Sequence, residues 1–143
     1  MGYRESLPAL SAIAEGPSEP NDHQPTVLVV EDNEQLRDAV SLLLTQEGYM
    51  VLAAATGRDA LGILRQPLSP IDVVLLDVCL PDLNGIDLCV LLRRAHPKLP
   101  VIICTGRATP AEAAQLLELG AHRYFQKPIS AEELLSSVEA ALT

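Results

Sequence analysis

Five polar residues of this 143-residue chain stand directly after short aliphatic or mixed runs, where chemistry is readily assembled. Glu31 and Asp32 follow Val27-Leu28-Val29-Val30, and Asp77 follows Val73-Val74-Leu75-Leu76. Thr105 follows Val101-Ile102-Ile103-Cys104, and Lys127 follows Arg123–Gln126. In open α/β sheets, ligands bind beyond the carboxyl ends of the strands. If the first and third strands are neighbours, three carboxylates meet at one edge with a hydroxyl and an ammonium beside them. Such carboxylates repel one another and need a cation or a proton to be tolerated. Their hard oxygens favour Mg2+ over zinc and leave octahedral positions for water or a phosphoryl oxygen. Lys127 offers a point charge and Thr105 a hydroxyl to further phosphoryl oxygens, which describes a phosphoryl-transfer site built from positioning and electrostatics. Taken singly, an Asp at a strand end is ordinarily a cap or turn residue, and a lone Lys a solvated surface group. The shared-site reading rests on four of five strands delivering suitable groups to one edge.

The elements that must position these groups are legible from Thr26 onward. Unbroken β-branched runs at 27–30 and 73–76 read as strands buried on both faces. Met50–Ala54, Val101–Cys104 and Arg123–Gln126 supply three more strands. Between them lie amphipathic segments. The first runs from about Glu34 to Glu47, with Leu36, Val40, Leu43 and Leu44 at helical spacing, Asp32 or Asn33 as cap and Gly48 as stop. The second runs from a Thr56 cap to Arg65, with Pro67 and Pro70 as breakers, and the third from an Asn84 cap to Ala95. Thr109-Pro110-Ala111-Glu112 and Ser130-Ala131-Glu132-Glu133 read as capping boxes opening helices to Leu119 and through Leu142. Strict alternation predicts right-handed crossovers and an α/β fold: one parallel sheet with helices on both faces, one domain over 26–143.

Composition excludes several classes. Asp+Glu is 19 against Lys+Arg 10, a formal charge of −9, so direct nucleic-acid binding is not expected. No apolar run reaches the ~18 residues of a membrane span, and no secretory leader is expected. Cys79, Cys89 and Cys104 lack metal-ligand spacing and read as small buried hydrophobes in a reducing compartment, the cytoplasm. His23, His96 and His122 read as exposed polar residues. The P-loop, dinucleotide and nucleophile-elbow motifs are absent. Residues 1–25 carry four of the eleven prolines and read as a flexible tail with at most a short helix near Leu7–Ala14. A formal myristoylation match at Met1–Ser6 is set aside as a chance fit.

These residues resemble a known family. Val29-Val30-Glu31-Asp32-Asn33, Leu75-Leu76-Asp77-Val78-Cys79-Leu80-Pro81-Asp82-Leu83-Asn84-Gly85, Ile103-Cys104-Thr105-Gly106 and Tyr124-Phe125-Gln126-Lys127-Pro128 are similar to the motifs of CheY-like receiver domains of bacterial response regulators. Thr105 lies 28 residues after Asp77, and Lys127 lies 50 after it. The resemblance covers 26–143. It implies a doubly wound, flavodoxin-like sheet with five strands in the order 2-1-3-4-5, the order given for CheY itself, and five helices.

The resemblance also implies roles. Asp77 is the phosphoacceptor for a histidine kinase or histidine phosphotransfer protein. Glu31, Asp32, Asp77 and the backbone carbonyl of Cys79 hold Mg2+. Thr105 is the switch hydroxyl, Lys127 pairs with the phosphoryl group, and Tyr124 is the switch aromatic. Lys127-Pro128 is the pair whose peptide bond is often cis. Phosphorylation then shifts a two-state equilibrium in the face formed by the fourth helix, fifth strand and fifth helix, which engages a downstream protein or a second copy. The protein would be a self-modifying switch, not a turnover enzyme, either free-standing or part of a hybrid kinase. Glu31 departs from the more frequent Asp, and Cys79 and Arg107 flank the site where water reaches the phosphoryl group. Two other readings remain. One is a small aspartyl-phosphate phosphatase, for which Cys79 replaces the second Asp expected in haloacid-dehalogenase-like enzymes. The other is a pseudo-receiver acting only as a protein-binding module.

Overall fold

Short aliphatic strands separated by helices lie parallel because each helix returns the chain to the same end of the sheet. The computed structural model describes residues 24–66, 70–107 and 109–143. In chain order these form β1 (Thr26–Val30), α1 (Glu34–Gln46), β2 (Met50–Ala54), α2 (Gly57–Leu64), β3 (Val73–Leu76), α3 (Gly85–Ala95), β4 (Val101–Thr105), α4 (Pro110–Glu118), β5 (Arg123–Gln126) and α5 (Ala131–Ala141). The five strands are all parallel in the order β2-β1-β3-β4-β5, as the resemblance implies.

Alternating side chains divide the interior into two layers. Leu28, Val30, Val74, Leu76, Val101 and Ile103 enter one cluster with Leu88 and Leu92 of α3 and Leu116 of α4. Val27, Val29, Val73, Leu75 and Ile102 enter the other with Leu44 of α1 and Leu134 and Val138 of α5. Every residue of β1 and β3 is buried, which is why those runs show no polar alternation. The edge strands carry exposed residues, Met50 and Ala53 on β2 and Arg123 and Gln126 on β5.

Helix starts follow side-chain chemistry. Asn33, not Asp32, caps α1, accepting from the Leu36 N–H at 2.9 Å. Thr109 and Glu112 form the complete capping box of α4. The second expected box forms only half. Ser130 accepts from the Glu133 N–H at 3.0 Å, but the Glu133 carboxylate accepts from the Ser130 hydroxyl at 3.2 Å, a local donor that takes the place of the cap's backbone N–H. β4 runs one residue past its expected end because Thr105 pairs with Gln126 of β5. The Gln24 amide donates to Gly48 O at 2.7 Å and the Met50 N–H to Pro25 O at 2.9 Å, so both residues belong to the base of the sheet. The expected Leu7–Ala14 helix, the Met1–Ser6 motif, His23 and the Pro67 break lie outside the described residues. Among the described residues, no helix is long and apolar enough to cross a membrane.

Candidate functional site: an acidic cluster at the carboxyl edge of the sheet

β1 and β3 are neighbours in register, Val30 opposite Leu76. The next residues along each strand, Glu31 and Asp77, therefore emerge side by side. Oxygen atoms of Glu31, Asp32 and Asp77 lie within 4.8 Å of one another. Glu31 and Asp77 are buried, each 6 % exposed, whereas Asp32 is exposed. Because Asn33 does the capping, the Asp32 carboxylate is not spent on the α1 terminus.

The β5–α5 connection carries Lys127 across two strands to this pair. Its Nζ donates to Glu31 Oε1 at 2.6 Å and to Asp77 Oδ2 at 3.0 Å. Backbone groups fix the carboxylates further: Asn33 N–H donates to Glu31 Oε2 at 3.2 Å and Cys79 N–H to Asp77 Oδ1 at 2.9 Å. One ammonium between two buried carboxylates, with a third nearby, leaves surplus negative charge. Burial pushes the Glu31 carboxyl up, and its hydrogen bonds to Lys127 and the Asn33 N–H only partly oppose that. Burial pulls the Lys127 ammonium down, but its bonds to Glu31 and Asp77 outweigh this and hold it above its ordinary range. A cluster of hard oxygens with unneutralised charge fits a divalent cation such as Mg2+.

Thr105, the last residue of β4, is fully buried. Its hydroxyl lies 3.4 Å from Cys79 Sγ and accepts from the Arg107 N–H at 3.4 Å, while its carbonyl accepts from the Lys127 N–H at 2.9 Å. Tyr124 pairs with Ile103 across the sheet and packs, half-buried, against the α2–α3–α4 layer. The Lys127–Pro128 peptide is cis.

The cysteines divide, which corrects the expectation that all three are buried. Cys89 is buried and Cys104 partly buried, and burial pushes each thiol up to about 11. Cys79 is exposed because the loop that follows Asp77 turns its side chain over the sheet edge toward Thr105.

The loop itself is held by residues whose roles the sequence did not reveal. The Asp82 carboxylate accepts from the Gly57 and Arg58 N–H groups, both at 2.9 Å, and so caps α2 from another segment. Burial tends to raise its pKa, but these backbone donors outweigh that and lower it. Cys79 and Asn84 pair as an isolated bridge, and Gly85 packs so closely on Val78 that no Cβ could be accommodated. The Arg37 guanidinium donates to Glu31 O at 3.0 Å. The Gly in the Asn84-Gly85 step was a visible signal, but the Asp82 contact joins segments 24 and 25 residues apart and has none, while the Arg37 contact folds α1 back onto the end of β1.

Residues 27–139 match the response regulator receiver domain family. The sensory transduction protein RegX3 of Mycolicibacterium smegmatis is 41% identical over 117 residues, covering 82% of this chain and 50% of that protein. The alkaline phosphatase synthesis transcriptional regulatory protein SphR of Synechococcus elongatus is 39% identical over 123 residues, 81% of this chain and 48% of that protein. The chain thus spans about half the length of these curated relatives. Among solved structures, a CheY-like receiver domain protein from Methanospirillum hungatei has a TM-score of 0.80 at 28% identity, covering 84% of this chain and 94% of that one. The non-phosphorylated HemR receiver domain from Leptospira biflexa has a TM-score of 0.77 at 33% identity, covering 84% and 95%. With its five-stranded fold and its acidic edge, the chain belongs to the response regulator receiver domains of two-component systems.

Proposed function

We propose that Asp77 accepts a phosphoryl group from the phosphohistidine of a kinase or histidine phosphotransfer protein. A carboxylate oxygen of Asp77 attacks phosphorus, the P–N bond breaks, and the imidazole nitrogen leaves with the bonding electrons and picks up a proton. The observation that carries this reading is the Asp77 carboxylate at a strand end, 3.0 Å from the Lys127 ammonium and within 4.8 Å of two further carboxylates.

Glu31, Asp32, Asp77 and the Cys79 carbonyl would hold Mg2+. When bound, that ion neutralises charge on the incoming phosphoryl oxygens. Lys127 exchanges a carboxylate oxygen for a phosphoryl oxygen. Thr105 turns its hydroxyl toward another, and Tyr124 moves into the volume vacated. The α4–β5–α5 face is the output surface, for a downstream protein or a second copy. We read the chain as a cytoplasmic switch that modifies itself and not as a turnover enzyme. The expectation of no nucleic-acid partner finds no support in the comparisons. SphR is by its name a transcriptional regulatory protein, and the match covers 48% of it, so its remaining half leaves room for such an output.

The test is incubation with acetyl phosphate and Mg2+, followed by intact mass. A gain of one phosphoryl group, absent from Asp77→Asn, is expected. An unmodified chain under these conditions, or continuous phosphate release over many turnovers, would overturn the reading.

A further inference from the structure

The loop 77–84 joins the proposed phosphoacceptor to α3 and carries the Cys79 carbonyl, a proposed Mg2+ ligand. A backbone carbonyl has no rotamer of its own; the chain on either side of its planar peptide decides where it points. Mg2+ demands near-ideal octahedral geometry, so the path of this loop decides how well the site closes on the ion. Close to the sheet, hydrogen bonds within the segment fix that path. The Cys79 N–H donates to Asp77 Oδ1 at 2.9 Å, and the Gly85 N–H donates to Val78 O at 3.2 Å beside the Cys79–Asn84 bridge. Farther out, the loop is fastened to another element. Asp82 accepts from the Gly57 and Arg58 N–H groups through separate oxygens. Leu83 lies so close to Gly57 that a Cβ there would stand 2.7 Å from Leu83 Cδ1.

At α2 two different residues divide the unsatisfied N–H groups that every helix start leaves. Thr56, the local cap, accepts from the Asp59 N–H at 3.0 Å. The two N–H groups before it go to a carboxylate 25 and 24 residues away along the chain. A charged acceptor on two N–H groups at the positive end of a helix dipole is a strong tie. We propose that Asp82 is a positioning residue for the metal site: it straps the loop to α2, holds the Cys79 carbonyl in line for Mg2+, and couples occupancy of the site to the first turn of α2. Such coupling is reciprocal, so whatever Asp82 does for Mg2+ affinity, Mg2+ does for the two α2 N–H groups. The first turn of α2 then reads the state of the site apart from the α4–β5–α5 face. The inference rests on the Cys79 carbonyl being a metal ligand, and not on phosphoryl transfer.

The test measures Mg2+ affinity of the full chain by isothermal titration calorimetry, and amide exchange of the ¹⁵N-labelled chain with and without Mg2+. Asp82→Ala should weaken Mg2+ binding about tenfold, the loss typical when a partner behind a metal ligand is removed. Asp82→Asn, which keeps one acceptor oxygen, should fall between Asp82→Ala and the parent. Thr56→Ala removes the helix's own cap and leaves the strap, so it should lower Tm without changing Mg2+ affinity. Mg2+ should slow exchange at Gly57 and Arg58 in the parent and in Thr56→Ala, and not in Asp82→Ala. Asp82 variants that bind Mg2+ as tightly as the parent would overturn the strap. An equal loss of affinity in Thr56→Ala would also overturn it and reduce Asp82 to a helix cap. A parent that binds no Mg2+ would overturn the metal reading along with it, a result distinct from the other two.

Discussion

The two ends of the sheet each gather their polar groups around one cation, and they do so in opposite ways. At the amino end of β4, Arg93 donates to four backbone carbonyls: Gly120 at 2.9 Å, His96 at 3.0 Å, Pro97 at 2.7 Å and Leu99 at 2.7 Å. At the carboxyl end, Lys127 donates to two carboxylates. The planar guanidinium satisfies several neutral turn carbonyls at once, so Arg93 is a permanent clamp on the α3–β4 and α4–β5 connections. Gly120 completes it with φ +101°, and a Cβ there would press on the Arg93 side chain at 2.9 Å. Lys127 is a compact charge between groups that could equally be neutralised by a metal ion, so its contacts are exchangeable. The same fold thus uses one cation for rigidity and another for response.

That contrast can be broken or sharpened by experiment. The largest effect on stability is expected from Arg93→Ala, about 3 kcal/mol in urea denaturation, because it strands several carbonyls in addition to losing bonds. Folded Arg93→Ala should still take up phosphate at Asp77. Lys127→Ala should lower stability by less than Arg93→Ala, since a metal ion can take the ammonium's place between the carboxylates. Phosphate uptake should nonetheless collapse. Millimolar Mg2+ should raise the Tm of Lys127→Ala more than that of Arg93→Ala. Equal responses would mean the ammonium and the metal do not share a role.

A finer probe is thiol alkylation at pH 8, read by peptide mass. Cys79, exposed at the responsive end, should label first. Cys89 and Cys104, with thiols at about 11, should label only on unfolding. The smallest effect concerns Asp82. Its pKa is lowered in the fold, so its contribution is present above the ordinary carboxyl value of 3.8 and is lost as pH falls through the folded-state value below that. Asp82→Asn should therefore lower Tm slightly at pH 7, and the difference from the parent should shrink in strong acid. A difference independent of pH would show that the carboxylate charge is not what caps α2.

Read by itself, the chain already determined the strands, the helices and the identity of the five polar groups. Each follows from local pattern: β-branched runs for β1 and β3, capping residues at Thr56, Asn84, Thr109 and Ser130, and a polar residue after a strand end. The second capping box, the end of β4 and the exposure of Cys79 were decided otherwise, because each depends on a competing partner or on where a loop turns. Tertiary structure alone decided which carboxylates share Lys127, since that requires β1 beside β3 and a connection reaching from β5, 96 residues from Glu31. It also decided the Arg93 clamp and the Asp82 cap. Periodicity within a segment is written by nearest neighbours, whereas a contact between segments exists only once the sheet has fixed their distance and direction.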